Sequence, residues 1–170
     1  APDSAKAQFW TKLKGTTNSS FSYVGDTDTT KIEGISDADH FQNTIKSLSI
    51  IGIQGHLLQT FMKAICVVLQ LGNLVFVSCP KDSDHSVVTS TQELKDLAEL
   101  MGIPQKQLEA TFITRLVRVR SETTTVPLSQ EAAKDSADAL AKQIYDRIFL
   151  WLVRIINKAT TAGEEKDRFG

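Results

Sequence analysis

The stretch Asp138-Ala139-Leu140-Ala141-Lys142-Gln143-Ile144-Tyr145-Asp146-Arg147-Ile148-Phe149-Leu150-Trp151-Leu152-Val153 decides how the chain is read. Apolar residues recur at helical spacing through Ala137, Leu140, Ile144, Ile148, Leu152 and Ile155, with a parallel row at Ala141, Tyr145 and Phe149. The pattern begins amphipathic and then closes around the helix: from Ile148 to Ile156 the only charged residue is Arg154. A helix that is apolar on all sides has to be covered on all sides. With its flanks, 129–161, it would be roughly 50 Å long at about 1.5 Å per residue. Two readings follow. It is the buried core helix of an ordinary helical domain, or it is a rod running through a larger protein.

Outward from that helix, composition is that of a soluble globular chain. Of the 170 residues, 41% are hydrophobic and 23% charged, and the formal net charge is −1. The length suits one domain or a piece of one, and the charge gives no pull toward nucleic acid or an anionic membrane. No apolar run is long enough to span a bilayer. The start, Ala1-Pro2-Asp3-Ser4-Ala5-Lys6, has neither Met nor an apolar signal core, so the expectation is an excised segment with no targeting sequence. Cys66 and Cys79 give no disulfide framework, which fits a reducing cytosol.

Residues 1–31 read as an irregular polar lead-in, with a short helix over Ala5 to Leu13 and an extended piece at Phe21-Ser22-Tyr23-Val24 before a turn at Gly25-Asp26. Residues 36–77 read as a helix pair plus a strand. Ser36 is the N-cap of the first helix, with Asp37 and Asp39 in its first turn, and Gly52 stops it. The second helix runs from about Gln54 to Leu71 with the row Leu57, Phe61, Ala64, Ile65, Val68, Leu69, followed by a strand at Asn73 to Val77. Cys79 to Ser90 reads as a polar loop. Residues 91–114 hold two short helices, the first on Leu94, Leu97, Ala98 and Met101 and stopped by Gly102, the second started by Pro104 and carrying Leu108 and Phe112. At 115–127, Val117 and Val119 alternate with Arg118 and Arg120, and a β-branched run follows over Thr123 to Val126. This predicts a hairpin turning at Ser121-Glu122, with Val inside and guanidinium groups outside. The fold class is mainly α: a helical subdomain with one long buried helix, a short strand and a small β-hairpin.

Two blocks carry a family resemblance. One is Asp138-Ala139-Leu140-Ala141-Lys142, then Ile144 to Phe149, Trp151-Leu152-Val153 and Ile156-Asn157-Lys158. The other is Ile32-Glu33-Gly34-Ile35, Asp37-Ala38, Phe41, Gly52 and Leu69-Gln70-Leu71-Gly72-Asn73-Leu74-Val75-Phe76. Together they resemble the myosin motor domain, over about Phe21 to Gly170. Leu150, where an Asp usually precedes the Trp, and Ile155, where an Arg usually stands, depart from the pattern. The resemblance implies a segment of the upper actin-binding subdomain, over 1–170, ending just before the switch II strand. It implies filamentous actin and the remainder of the motor domain as partners, MgATP as the parent's cofactor, and a cytoplasmic, cytoskeleton-associated location. It matches Arg115 to Thr124 to the surface loop that meets actin, giving Arg115, Arg118, Arg120, Ser121, Glu122, Thr123 and Thr124 as candidate contact residues. The family tunes that loop sixteen residues ahead of the Asp of Asp-Ala-Leu-Ala-Lys, which here is Glu122, a carboxylate where other members carry a phosphorylated Ser or Thr. On residues alone, the same hairpin also reads as a solvated turn, and the chain as a helical scaffold or interaction domain without actin or nucleotide activity.

No nucleotide chemistry is legible. A P-loop needs Gly, four residues, then Gly-Lys-Ser/Thr so that backbone amides cradle phosphate and the Lys neutralises it; Lys14-Gly15-Thr16 has the reverse order. Asn18-Ser19-Ser20-Phe21 looks like part of the family's switch I, but it lacks the Arg and lies downstream of where switch I belongs, so it reads as a Ser-rich loop. His40, His56 and His85 have no metal-ligand spacing. The chain by itself should therefore carry neither a cofactor nor catalysis. Calorimetric titration of this chain with MgATP is expected to show no binding; a micromolar dissociation constant would overturn the reading.

Overall fold

The computed structural model describes residues 1–25, 31–80, 82–120 and 122–168, without the side chains of Lys31, Ile32, Val119 and 162–168. In chain order the elements are α1 (Asp3–Phe9), two 3₁₀ turns (Thr11–Leu13 and Asn18–Ser20), β1 (Lys31–Ile32), β2 (Ile35–Ser36), α2 (Asp37–Ile50), α3 (Gly55–Gly72), β3 (Phe76–Cys79), β4 (Asp82–Val88), α4 (Thr91–Met101), α5 (Gln105–Ile113), β5 (Thr114–Val119), β6 (Glu122–Pro127) and α6 (Gln130–Arg168). The strands form three separate antiparallel pairs, β1 with β2, β3 with β4 and β5 with β6. Helices dominate, as expected.

Local signals set three of the helix ends. The Ser36 hydroxyl accepts from the Asp39 amide at 3.2 Å, capping α2. Gly102 closes α4 at φ 68°, a left-handed conformation that costs a side chain energy and glycine none. Ser129 caps α6, its hydroxyl accepting from the Ala132 amide at 3.3 Å.

Several expectations change. The predicted helix over Ala5–Leu13 breaks at Trp10, whose backbone is extended, so a helix and a 3₁₀ turn replace it. Phe21–Val24 is turn rather than strand, and Asp26 lies outside the described residues. The supposed polar loop after Cys79 contains β4, which pairs Val88 with Phe76 and Val87 with Val77. Its polar outer residues hide the strand, while Ser86 and Val88 point inward and are buried. The charged run Gly163–Arg168 continues α6 and is not a loop.

The core gathers Leu71, Leu74, Phe76, Val88, Leu94, Leu97, Leu108 and Phe112 against Ala133, Ala137 and Ala141 of α6. Phe112 meets Phe76 edge-on, with ring centroids 6.2 Å apart. The face of α3 that enters this core carries Val67, Gln70 and Leu71, with the Gln70 amide satisfied by the Glu93 carbonyl at 3.1 Å. Of the sequence row, Phe61, Ile65 and Leu69 lie on the other face, with Val68 at the border packed against the core as well. There the row lines a groove of about 380 Å³ together with Tyr145 and Phe149 of α6.

The long helix is therefore not buried along its length. Its first third is buried through alanines, but Tyr145, Phe149 (55% exposed), Leu150 and Ile156 face outward. Contiguous exposed apolar surface of this kind drives association. Light scattering of the isolated chain should report self-association, with hydrophobic-dye fluorescence; a monodisperse monomer that binds no dye would contradict it.

Candidate functional site

The β5–β6 hairpin is the most prominent feature with chemistry on it, and its mounting follows from its flanks. β5 begins directly where α5 ends, with the Thr114 hydroxyl donating to the Ala110 carbonyl at 2.7 Å. The Leu128 amide donates to the Ile113 carbonyl at 2.8 Å, which closes the base of the hairpin. The Leu128 carbonyl in turn accepts from the buried Ser86 hydroxyl at 2.8 Å, tying that base to β4. One residue further on, Ser129 caps α6. The hairpin is thus fixed at its root by three elements and free at its tip.

The register pairs Arg115 with Val126, Val117 with Thr124, Arg118 with Thr123 and Val119 with Glu122. Side chains alternate between faces along a strand, so Arg115, Val117 and Glu122 share one face and Leu116, Arg118 and Thr123 share the other. The expected division into an inner Val side and an outer Arg side holds for Val117 and Arg118, but the same alternation does not extend it to every residue of β5. Arg115 lies on the Val117 face, and Leu116, 74% exposed, sits beside Arg118. Arg115, Arg118, Arg120, Glu122, Thr123 and Thr124 are all exposed. Ser121 lies outside the described residues. Arg120 occupies the turn at φ 55°. Among the described residues none of the hairpin's charged side chains forms an ion pair. Three guanidinium groups and one carboxylate are therefore presented to solvent, where they can act on a charged partner through a field that salt weakens.

Among the described residues no three His, Cys, Asp or Glu side chains come together to hold a metal ion. The three histidines sit on α2, α3 and β4, and His85 pairs with Asp82 at 2.9 Å. Cys66 is buried, and that burial pushes its thiol up to about 11, away from thiolate reactivity. Asn18–Ser20 forms a 3₁₀ turn closed by a reciprocal cap between Thr17 and Ser20, in line with the Ser-rich loop reading. No helix among the described residues is long and apolar enough to cross a membrane.

The myosin head (motor domain) family matches residues 3–169. The chain belongs to that family. Among its relatives, human unconventional myosin-Ib is 35% identical over 137 residues, 79% of this chain and 12% of that protein. Myosin-14 of Arabidopsis thaliana is 33% identical over 154 residues, covering 86% of this chain and 10% of the relative. Mouse unconventional myosin-Vb is 32% identical over 150 residues, covering 88% and 8%. The chain thus spans about a tenth of the length of these myosins.

Within this myosin head segment, sequence reasoning missed β4 and a polar cluster at Tyr23, Lys134 and Asp138. The β-branched run Val87-Val88-Thr89 was the available signal for the strand. Within the cluster only the Lys134–Asp138 pair, four residues apart on one helix, was legible locally; Tyr23 is 115 residues from Asp138 and had no local signal.

The left-handed backbone at Arg120 gives a prediction. A non-glycine residue there costs about 1 kcal/mol. Arg120→Gly should slow hydrogen exchange of the β5 and β6 amides, the gain being trimmed by the freer unfolded chain. Arg120→Val should speed it.

Proposed function

We propose that the chain is a segment of an actin-based, ATP-driven motor and that the β5–β6 hairpin contributes its actin contact, with Glu122 as the tuning charge. The observation that carries this is an exposed hairpin bearing Arg115, Arg118, Arg120 and Glu122, rooted on α5, β4 and the start of α6, in a chain of the myosin head family. Filamentous actin is the partner at the hairpin. The remainder of the motor is the partner at the apolar face of α3 and α6, where Tyr145 and Phe149 stand open. MgATP belongs to the parent motor and is held by residues outside this chain, which has no phosphate-binding loop. In this reading α6 links the hairpin end to the switch II side of the motor. The location that follows is cytoplasmic and cytoskeleton-associated.

The roles divide by sign. Exposed charges contribute little to folding, so replacing Arg118 or Glu122 should leave stability nearly unchanged. The guanidinium groups attract an acidic partner surface, and Glu122 selects productive engagement without needing a kinase. In the parent motor, Glu122→Ala should lower the actin-activated ATPase while the basal rate stays near wild type, and Glu122→Asp should be close to silent. Arg118→Ala and Arg120→Ala should weaken co-sedimentation with filamentous actin and make its salt dependence shallower. The measurement is steady-state ATPase against actin concentration, with co-sedimentation, at two ionic strengths. An actin-activated rate that Glu122→Ala leaves unchanged at both would remove Glu122 from the contact.

A further inference from the structure

The four residues Ser20 to Tyr23 are tied down more heavily than any turn needs. The Asn73 side chain accepts from the Ser22 amide at 3.0 Å and from the Ser22 hydroxyl at 3.3 Å, and its own amide donates to the Ser20 carbonyl at 2.9 Å. Phe21 between them is buried. The Tyr23 ring then lies against the last residue of α3, so closely that a Cβ on Gly72 would fall 2.8 Å from its nearest atom. The Tyr23 hydroxyl donates to the Asp138 carboxylate of α6, which also accepts from Lys134, and the Lys134 ammonium stands 5.3 Å from the Tyr23 ring centroid. One short piece of irregular chain thus grips the end of α3 with one hand and the middle of the buried third of α6 with the other.

We infer that residues 20–24 are a strap that locks α3 to α6, with Asn73 as its anchor, Gly72 as the seat of the Tyr23 ring and Asp138 as the catch. This gives Gly72-Asn73 a physical role. Glycine is there because the ring occupies the space of a side chain, and asparagine because its amide offers both an acceptor and a donor to an extended backbone. Tyr23 also forms part of the wall of two hollows, the apolar groove of about 380 Å³ and a more polar cleft of about 730 Å³ beside Gln130 and Lys134. The charge state suits a catch that stays shut. Burial opposes ionisation of Asp138, but the hydrogen bonds from Lys134 and Tyr23 and the charges of Lys134 and Lys142 outweigh it and hold the carboxyl below the usual range. Burial, then the Asp138 hydrogen bond, raises the Tyr23 phenol, so it keeps its proton.

The strap is tested by a double-mutant cycle between Tyr23 and Gly72, read by hydrogen exchange on the full chain in peptides spanning 66–75 and 134–146, with the β5–β6 hairpin as internal control. Ala is the better helix former, so at an unconstrained position Gly72→Ala would slow exchange at the end of α3. Here it should speed exchange severalfold in both peptides and leave the hairpin unchanged. Tyr23→Ala should do the same. In the Tyr23→Ala background, Gly72→Ala should reverse sign and slow exchange, because the ring is gone. Tyr23→Phe, which keeps the ring and loses the catch, should speed exchange in 134–146 more than in 66–75. If Gly72→Ala does not fold, the double variant should fold again. Slower exchange in Gly72→Ala alone, simple addition of the two single effects, or no rescue in the double variant would each overturn the strap.

Discussion

The structure depends on how closely α6 approaches the rest of the core, and alanine sets that distance. Among the described residues of α6, Ala133, Ala137 and Ala141 are the buried ones, and they recur every four positions. A side chain of one carbon lets the helix axis lie near Leu71, Leu97 and Phe112 without displacing them. Larger residues on that row would push α6 outward, and the hairpin base and the strap contact would both be lost, since each is measured from the α6 surface.

From that contact the two ends of α6 acquire different characters. At its start the helix is bound into a web of short polar links: Ser129 to Ala132, Leu128 to Ile113, Ser86 to Leu128, and Gln130 to the Ser78 amide. These links hold the hairpin root in a defined place while the tip stays in water. Beyond Ile144 the helix outruns its partners. Trp151 still packs across onto Phe61 of α3, ring centroids 5.6 Å apart, but Tyr145 and Phe149 are open. A helix of 39 residues, about 58 Å long at 1.5 Å per residue, is longer than the core it crosses. For a segment of the myosin head family that covers about a tenth of its relatives, this mismatch has a direct physical sense: the apolar rows are written for more neighbours than these residues supply.

The polar interior is small and fully answered. Among the described residues no buried side-chain nitrogen or oxygen lacks a partner. Gln70 and Ser86, the buried polar residues, each bond to a backbone carbonyl in a neighbouring element. Such bonds contribute modestly to stability, but leaving either group unpaired would cost more, so they select one packing arrangement over others.

By itself the sequence determined what depends on near neighbours in the chain. Ser36 and Gly102 mark helix ends, Pro104 precedes α5, and the apolar spacing of α4 and α5 puts Leu94, Leu97, Leu108 and Phe112 in the core, because caps and periodicity act within a turn or two. The alternating β5 and the β-branched β6 announced the hairpin for the same reason. Only the tertiary structure decided the rest. α3 is apolar on two faces, so its residues could not say whether Val67 and Leu71 or Ile65 and Leu69 would meet the core. β4 shows polar residues outward, and its pairing with β3 is set across a turn and a bulge at Ser78–Cys79. Which β6 residues join each face of the hairpin followed from register, which put Glu122 on the face of Arg115 and Val117. Tyr23 and Asp138 meet because α3 and α6 are packed together, and no pattern within either segment encodes a partner 115 residues away.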